Sequence, residues 1–334
     1  MESCFYIDVG STNIKWQDKD GKSGSEKFPD PLNQTVPFFE VSIREIGRIV
    51  TSLILSHPAE KVFISTQMHG YVLLDKGGEP VTEYISWQDT RSTLVHNFPF
   101  QMSPENGVGM KENLPRAGVY AIKLLRPEQY NKASEFCTLG SYLSKILTGN
   151  NCTHISDAAP SGFYNVKTGE GKSELILPQV KMRPDVVGIF EGRKIYTPIG
   201  DQQASILGCG GDEESYIMNL GTTGQLCCIE KGFSIGEFES RPYFNGSTLC
   251  TVTNLMAGKK IQKMADGWED CFYKEYSSAL QRLPKRNKII ITGGVTQYYH
   301  DKVEKLVRNF KIPYTFSPKQ DAIEGLKRMA EEII

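Results

Sequence analysis

The chain has 334 residues, enough for two domains or for one large domain with a cleft. Its formal net charge of −1 argues against the basic field that nucleic acid requires, and its longest apolar runs, such as IIIT at 289–292, are strand-sized and too short for a membrane span. Eight scattered cysteines without a CxxC pair, and five histidines without HExxH, predict buried free thiols and no structural zinc. The N-terminus MESCFYIDVG lacks a basic region followed by a long apolar core, so a cytoplasmic location is expected.

In chain order, FYIDVG reads as a strand, STN as a tight turn and IKWQD as a second strand, with DKDG and a third strand near Ser25–Phe28 completing a meander. Ile46, Ile49, Val50, Leu53 and Ile54 recur at helical spacing, and Ser42 with Glu45 predicts a capping box at the start of that helix. KVFIST is a buried strand, and YVLLD followed by KGGEP predicts a hairpin. The stretch 119–148 reads as mostly helical, and 166–198 as a turn-rich junction.

From Gly200 the pattern starts afresh. DQQASILG predicts a short helix, SYIMNLGTTGQLCCIEKG a strand, turn and strand, and 251–283 a largely helical segment. Adjacent Cys227 and Cys228 on that second strand must face opposite ways. NKIIITGG is a buried strand running into a glycine pair. DKVEKLVRNF predicts a helix with Val303, Leu306, Val307 and Phe310 on one face, and a final helix covers roughly 320–333.

The most informative feature is a repeat. IDVGSTNIKW and IMNLGTTGQLCC share a strand, then Asp or Asn, an apolar residue, Gly, a hydroxyl residue, Thr and a second strand. Glycine lets backbone N–H groups approach an anion, and the hydroxyls add donors, so each turn suits phosphate oxygens. Asp8 would repel phosphate unless a cation lay between, and Mg²⁺ is the hard, oxygen-loving ion habitually shared between carboxylate, water and phosphates. Asn219, neutral, suits phosphate held without metal. A plain hairpin turn would also use Gly and Thr, but two such turns in this order point to one nucleotide between two related halves. No Walker A loop competes, since Trp16 and Val166 stand where the first glycine would precede the two GKS tripeptides, and neither GxGxxG after a strand nor GxSxG is present.

These residues resemble the FGGY family of carbohydrate kinases, within the actin-like superfamily. DVGSTNIK is similar to its first phosphate motif, NLGTTGQL to its second, IITGG to its adenosine motif, and DAIEGLKRMA to the helix that closes its second domain. ISTQMHGYVLLD and ISWQDTRS resemble sugar-binding segments of xylulokinases and sedoheptulokinases, GSYLSKILTG resembles DYLxxxLTG, and PIGDQQASILG resembles the segment with the catalytic aspartate. The resemblance implies an α/β, two-lobed actin-like (ribonuclease H-like) ATPase fold with a duplicated core and a cleft between lobes, divided into an N-terminal sugar-binding domain at 1–198 and a shortened nucleotide-binding domain at 199–334.

It further implies an ATP:sugar phosphotransferase with an alcohol acceptor, using ATP and Mg²⁺. Asp201 is then the general base, and Asp8 with Asp201 organises the metal. Gly10, Ser11, Thr12, Lys15, Gly221, Thr222, Thr223, Gly293 and Gly294 hold the nucleotide. Gln67, Met68, His69, Trp87 and Asp89 hold the sugar, although Met68 and Trp87 also suit a core and Asp89 could pair with Arg91. Asp201 could also serve as an N-cap, a role compatible with catalysis. RPYFNGSTL resembles sedoheptulokinases, which favours a seven-carbon ketose, with xylulose, ribulose or another polyol as alternatives and a catalytically silent sugar or nucleotide sensor as the rival of another class. The expected partner is a small sugar, not nucleic acid or membrane, and a homodimer is left open. The chain departs from the family by lacking the usual long segment before the adenosine strand, and by GSYL in place of DYL, which removes an acid at 140–141.

Overall fold

The structure, a computed structural model, describes residues 3–264, 267–317 and 322–333. The strand Cys4–Val9 lies at the centre of a seven-stranded sheet, antiparallel to Asn13–Gln17 and parallel to Lys61–Thr66, with Ser23–Lys27 beyond the second strand. The strand Ser215–Leu220 holds the same place in a six-stranded sheet: antiparallel to Gly224–Glu230, parallel to Lys288–Thr292, with Thr248–Leu255 beyond. The repeat in the sequence is thus a repeat of topology, and each short turn sits at the same corner of its sheet.

Side-chain alternation explains where the acids go. Phe5, Ile7 and Val9 enter one core with Ile46, Val50 and Leu143 from the helices Ile43–Ser56 and Leu139–Thr148. Cys4 faces the other way, into a central core shared with Ile217, Cys227 and Ile290 of the second sheet, and Asp8 has the same parity as Cys4. Asn219 shares the parity of Ile217, so both residues face the seam between the sheets. Met218 and Cys228 point outward, to a core with Phe272, Tyr276 and Val303 from the helices Trp268–Arg282 and Val295–Arg308. Cys227 and Cys228 therefore occupy opposite faces as expected. The seam is filled by the helices Asp201–Gly208 and Ala322–Ile333, which contribute Ala204, Ile206, Ile323 and Leu326.

Several expectations need correction. The third strand is Ser23–Lys27. Ser42 accepts from the Glu45 N–H at 3.4 Å, but the Glu45 carboxylate turns to Arg48, so the box is half made. The stretch 119–148 is interrupted by the strand Glu135–Thr138, which pairs with Tyr71–Leu74 in a five-stranded sheet. The junction 166–198 contains the strands Val186–Phe190 and Arg193–Tyr196, which extend the first sheet beside Lys61–Thr66. Residues 251–255 belong to a strand, ahead of the helices Gly258–Met264 and Trp268–Arg282. The helix expected over DKVEKLVRNF begins earlier, at Val295, and ends at Arg308, leaving Phe310 just past it but still packed on the core. Residues 320 and 321 of the last expected helix lie outside the described residues. Among the described residues no helix is long and apolar enough to cross a membrane.

Candidate active site

The first turn is closed by Gly10 N–H donating to Asn13 O at 3.1 Å, and Thr12 O accepts from Phe28 N–H at 3.0 Å, which leaves the Ser11 and Thr12 side chains exposed. Just before it, Asp8 accepts from the Ser65 hydroxyl at 2.8 Å, from the neighbouring parallel strand. One residue on, the buried Thr66 donates to Asp157, which also accepts from Thr153 at 2.8 Å and from Thr138. Burial pushes the Asp157 carboxyl up to about 6, with those three hydroxyls pulling the other way.

The same segment fixes Asp201. Ser156, adjacent to Asp157, accepts from Gly200 N–H at 3.0 Å and bonds His154 Nδ1 at 2.8 Å, while the Thr153 hydroxyl, whose one proton is shared between Asp157 and Pro198 O, lies 3.0 Å from the latter. The chain therefore enters the helix Asp201–Gly208 under fixed geometry. Gly200 is the cap and Asp201 the first helical residue, which corrects the N-cap alternative. Burial first, then the nearby Asp8, push the Asp201 carboxyl up to about 7; Asp157 adds to this, while the Gln202 N–H and Arg241 oppose it.

A cavity of about 320 Å³ lies over Asp201. Its wall includes Gln67, Met68, His69 and Trp87 from the expected sugar segments, Ser11 from the first turn and Asn219 and Thr223 from the second. Three buried polar atoms on this wall, Gln67 Oε1, His69 Nδ1 and Asn219 Oδ1, have no hydrogen-bond partner in the protein. Buried polar atoms normally find one, and all three belong to residues that line this one cavity, as expected of a site for a polar ligand. His69 adopts a left-handed backbone (φ 64°), and burial, then Arg241 and Lys111, push its imidazole down to about 3, so it is neutral at physiological pH. A second hollow of about 660 Å³ is lined by Gly221, Thr222, Gly258, Lys259, Gly294 and Tyr298, among others. Thr222 and Thr223, adjacent in one turn, thus face different hollows. Gly293 has φ 104°, and a Cβ there would lie 2.4 Å from the Leu220 carbonyl carbon, so only glycine fits. A roomier hollow of about 1030 Å³ near Asp75 and Arg126 contains none of these residues.

Not every expected residue reaches the two hollows. Their walls, among the described residues, omit Asp8, Gly10, Thr12, Lys15, Asp89 and Gly293. Gly10 still touches the site, since its carbonyl accepts from Gln67 Nε2 at 3.3 Å. Lys15 is exposed on the strand opposite Asp8. Asp89 is buried in an ion pair: Arg91 Nε and Nη2 donate to it at 2.8 Å each, and it also accepts from Phe39 N–H at 2.7 Å. The pairing with Arg91 is the arrangement present.

Sequence reading missed Gln202, Gln225 and Arg241. Arg241, buried on the strand Glu239–Pro242, reaches this cavity alongside Gln202 and Gln225. Gln202 donates to Gln225 at 2.6 Å and accepts from Arg241, whose Nε and Nη2 donate to Glu239 at 2.9 and 2.6 Å. Glu239 also pairs with Lys111; burial alone would raise its carboxyl, but Arg241 and Lys111 hold it down at about 2. In the sequence Gln202 and Gln225 lie within the GDQQA and GTTGQ motifs, and Arg241 opens RPYFNGSTL.

Comparison with known proteins agrees with this layout. The N-terminal domain profile of the FGGY family of carbohydrate kinases matches residues 36–214. A xylulose kinase of Staphylococcus xylosus is 25% identical over 211 residues, covering 55% of this chain and 44% of the relative. Human sedoheptulokinase is 24% identical over 242 residues, covering 59% and 50%. The chain spans about half the length of the curated relatives it matches. The crystal structure of ligand-bound xylulose kinase from Lactobacillus acidophilus superposes with a TM-score of 0.82 at 18% identity, covering 99% of this chain and 89% of that one. With its duplicated sheets, its seam of two helices and the profile match over more than half its length, the chain belongs to the FGGY family of carbohydrate kinases and has their two-lobed, actin-like ATPase fold.

Proposed function

We propose that this protein transfers the γ-phosphoryl group of ATP to a hydroxyl of a ketose, with Asp201 as the proton acceptor. One observation carries the reading: a single sugar-sized cavity gathers Asp201, the Gln67–His69 segment and the hydroxyls of both turns, Ser11 and Thr223. The ketose class follows the xylulose kinase and sedoheptulokinase relatives. Sedoheptulose is the substrate we put first, on the RPYFNGSTL segment, with xylulose and ribulose next. We also take residues 1–198 as the sugar-binding lobe and 199–334 as the nucleotide-binding lobe, with the hollow beside Gly294 and Tyr298 receiving adenosine.

The roles follow from the chemistry of each group. Gln67, His69 and Asn219 have unused hydrogen-bonding atoms that suit the hydroxyls of a polyol. Met68 and Trp87 give the sugar's carbon face an apolar surface and limit water near the reacting hydroxyl. Asp201 takes the proton of that hydroxyl as it attacks in line. Gly221, Thr222 and Thr223 offer backbone and hydroxyl donors to the phosphoryl oxygens from both hollows. Asp8 and Asp201 repel each other, and such a pair of hard oxygen donors fits Mg²⁺, which normally keeps waters and phosphate oxygens among its ligands. Among the described residues no larger cluster of metal-ligating side chains forms, so the protein offers two carboxylates and not a complete cage. When bound, the ion supplies charge neutralisation to the phosphates.

An ATP-coupled screen over sedoheptulose, xylulose, ribulose, rhamnulose, fuculose, glycerol and erythritol tests the reading. Turnover with at least one ketose is expected, and no phosphoryl transfer to any of them would refute it. The pH profile is a separate prediction. A base whose conjugate acid has a pKa of about 7 is mostly protonated at pH 6, so kcat/KM should rise with pH and level off above about 8. Bound cation favours the carboxylate form, so the limb should move to lower pH as Mg²⁺ is raised. A profile flat from pH 5.5 to about 8 at all Mg²⁺ levels counts against Asp201 as the base.

A further inference from the structure

The cavity holds one strong cation that the roles above leave unused. Arg241 is buried, with 4% of its surface exposed, yet it reaches the wall beside Gln202 and Gln225. Burying an arginine is costly unless its donors are matched. Nε and one N–H of Nη2 go to Glu239, and one N–H of Nη1 goes to Gln202. A guanidinium carries five N–H donors, so two remain for a ligand. Its support is specific. Glu239 is shared with Lys111, from the segment after Pro104–Asn106, and Gln202 is braced by Gln225 on the strand that leaves the second turn. Two cations share one carboxylate, so this group of three carries one net positive charge, on the same wall as the Asp201 carboxylate.

The location tells which ligand. Arg241 and Lys111 are close enough to His69 to help keep its imidazole neutral, and His69 belongs to the wall with Gln67 and Met68. The other hollow, beside Gly294 and Tyr298, contains none of Lys111, Glu239 or Arg241. Resting on the kinase reading above, we propose that Arg241 is a sugar-binding specificity residue, which donates to a hydroxyl or carbonyl oxygen of the acceptor, with Glu239, Lys111 and Gln202 as its positioning partners. The planar fork, not charge alone, fixes the direction of these donors. Sugar selection then depends on contacts from both halves of the chain, since Lys111 lies before the Asp201 helix and Arg241 after it.

The test measures sugar affinity separately from nucleotide affinity, using the best acceptor from the screen. Arg241→Gln should weaken calorimetric sugar binding and raise the sugar KM by about tenfold or more, the usual effect of losing a charged donor, while the KM for ATP stays within about twofold. Arg241→Lys should recover only part of the loss, and Lys111→Met should cost less than Arg241→Gln. Because Arg241→Gln leaves Glu239 with less compensation, the double variant Glu239→Gln/Arg241→Gln serves as the folding-safe form, with the same expected loss of sugar binding. Unchanged sugar affinity in folded Arg241 variants, or a loss confined to ATP affinity or to kcat, overturns the proposal. Wild-type protein that binds a sugar without phosphorylating it overturns the kinase reading instead, and leaves the Arg241 contact to be judged by calorimetry alone.

Discussion

Replacing Asp201 with asparagine should lower kcat by about 10²- to 10⁴-fold, the range for removing a general base, while ATP binding is largely kept. The side chains are nearly isosteric, and the position is fixed mainly by backbone contacts: Gly200 N–H to Ser156, and Thr153 to Pro198 O. The variant therefore keeps the cavity and loses the proton acceptor. It also removes one of two mutually repelling carboxylates, so the fold should be no less stable. Steady-state rates with the preferred sugar and a nucleotide titration check both halves. A variant that keeps most of its rate removes Asp201 from the chemistry.

A second large effect is expected far from the sugar. Gly325 lies in the helix Ala322–Ile333 where it crosses the helix Asp201–Gly208, and a Cβ at 325 would fall 1.8 Å from the Ala204 carbonyl oxygen. That obstacle is backbone, which cannot swing aside as a long side chain can. Gly325→Val should therefore force the two helices apart, at a cost of about 3 kcal/mol or more. The helix that must move carries Asp201, so activity should fall together with stability. Gly109→Ala is the control: nothing lies within 4 Å of its added carbon, and a surface change of this kind stays within about 0.5 kcal/mol. Urea denaturation reads both. An unchanged midpoint for Gly325→Val would show that the helix crossing is not as tight as the structure places it.

The parts of the fold legible in the sequence were those set by local pattern. Both turns, the flanking strands and the helices with clear apolar periodicity could be read because glycine, hydroxyl residues and 3.6-residue spacing act over short range. The strand Glu135–Thr138 was hidden between two helices, as four residues carry too little periodicity of their own. The strand Thr248–Leu255 merges in the sequence with the helical pattern of residues 258–282, although Thr251, Val252 and Thr253 are β-branched. For the site, Gln67, Met68, His69, Trp87, Ser11, Thr223 and Asp201 converge on one cavity. Arg241 could not be seen beforehand, because its role comes from Lys111, Glu239 and Gln202, which meet only in three dimensions. Asp89 shows the reverse case: a polar residue in a motif whose oxygens are taken up by Arg91 two positions on.

The central claim is a division of labour between two acids, with Asp8 organising the metal and Asp201 taking the proton. The most direct test compares Asp8→Asn and Asp201→Asn in sugar-dependent ATP turnover across a wide Mg²⁺ titration. Asp8→Asn should need more Mg²⁺ for half-maximal rate, by about tenfold or more, and should recover substantial activity as the ion is raised. Asp201→Asn should stay inactive at every concentration. The reverse pattern, with Asp201→Asn rescued by Mg²⁺ and Asp8→Asn not, would contradict the assignment.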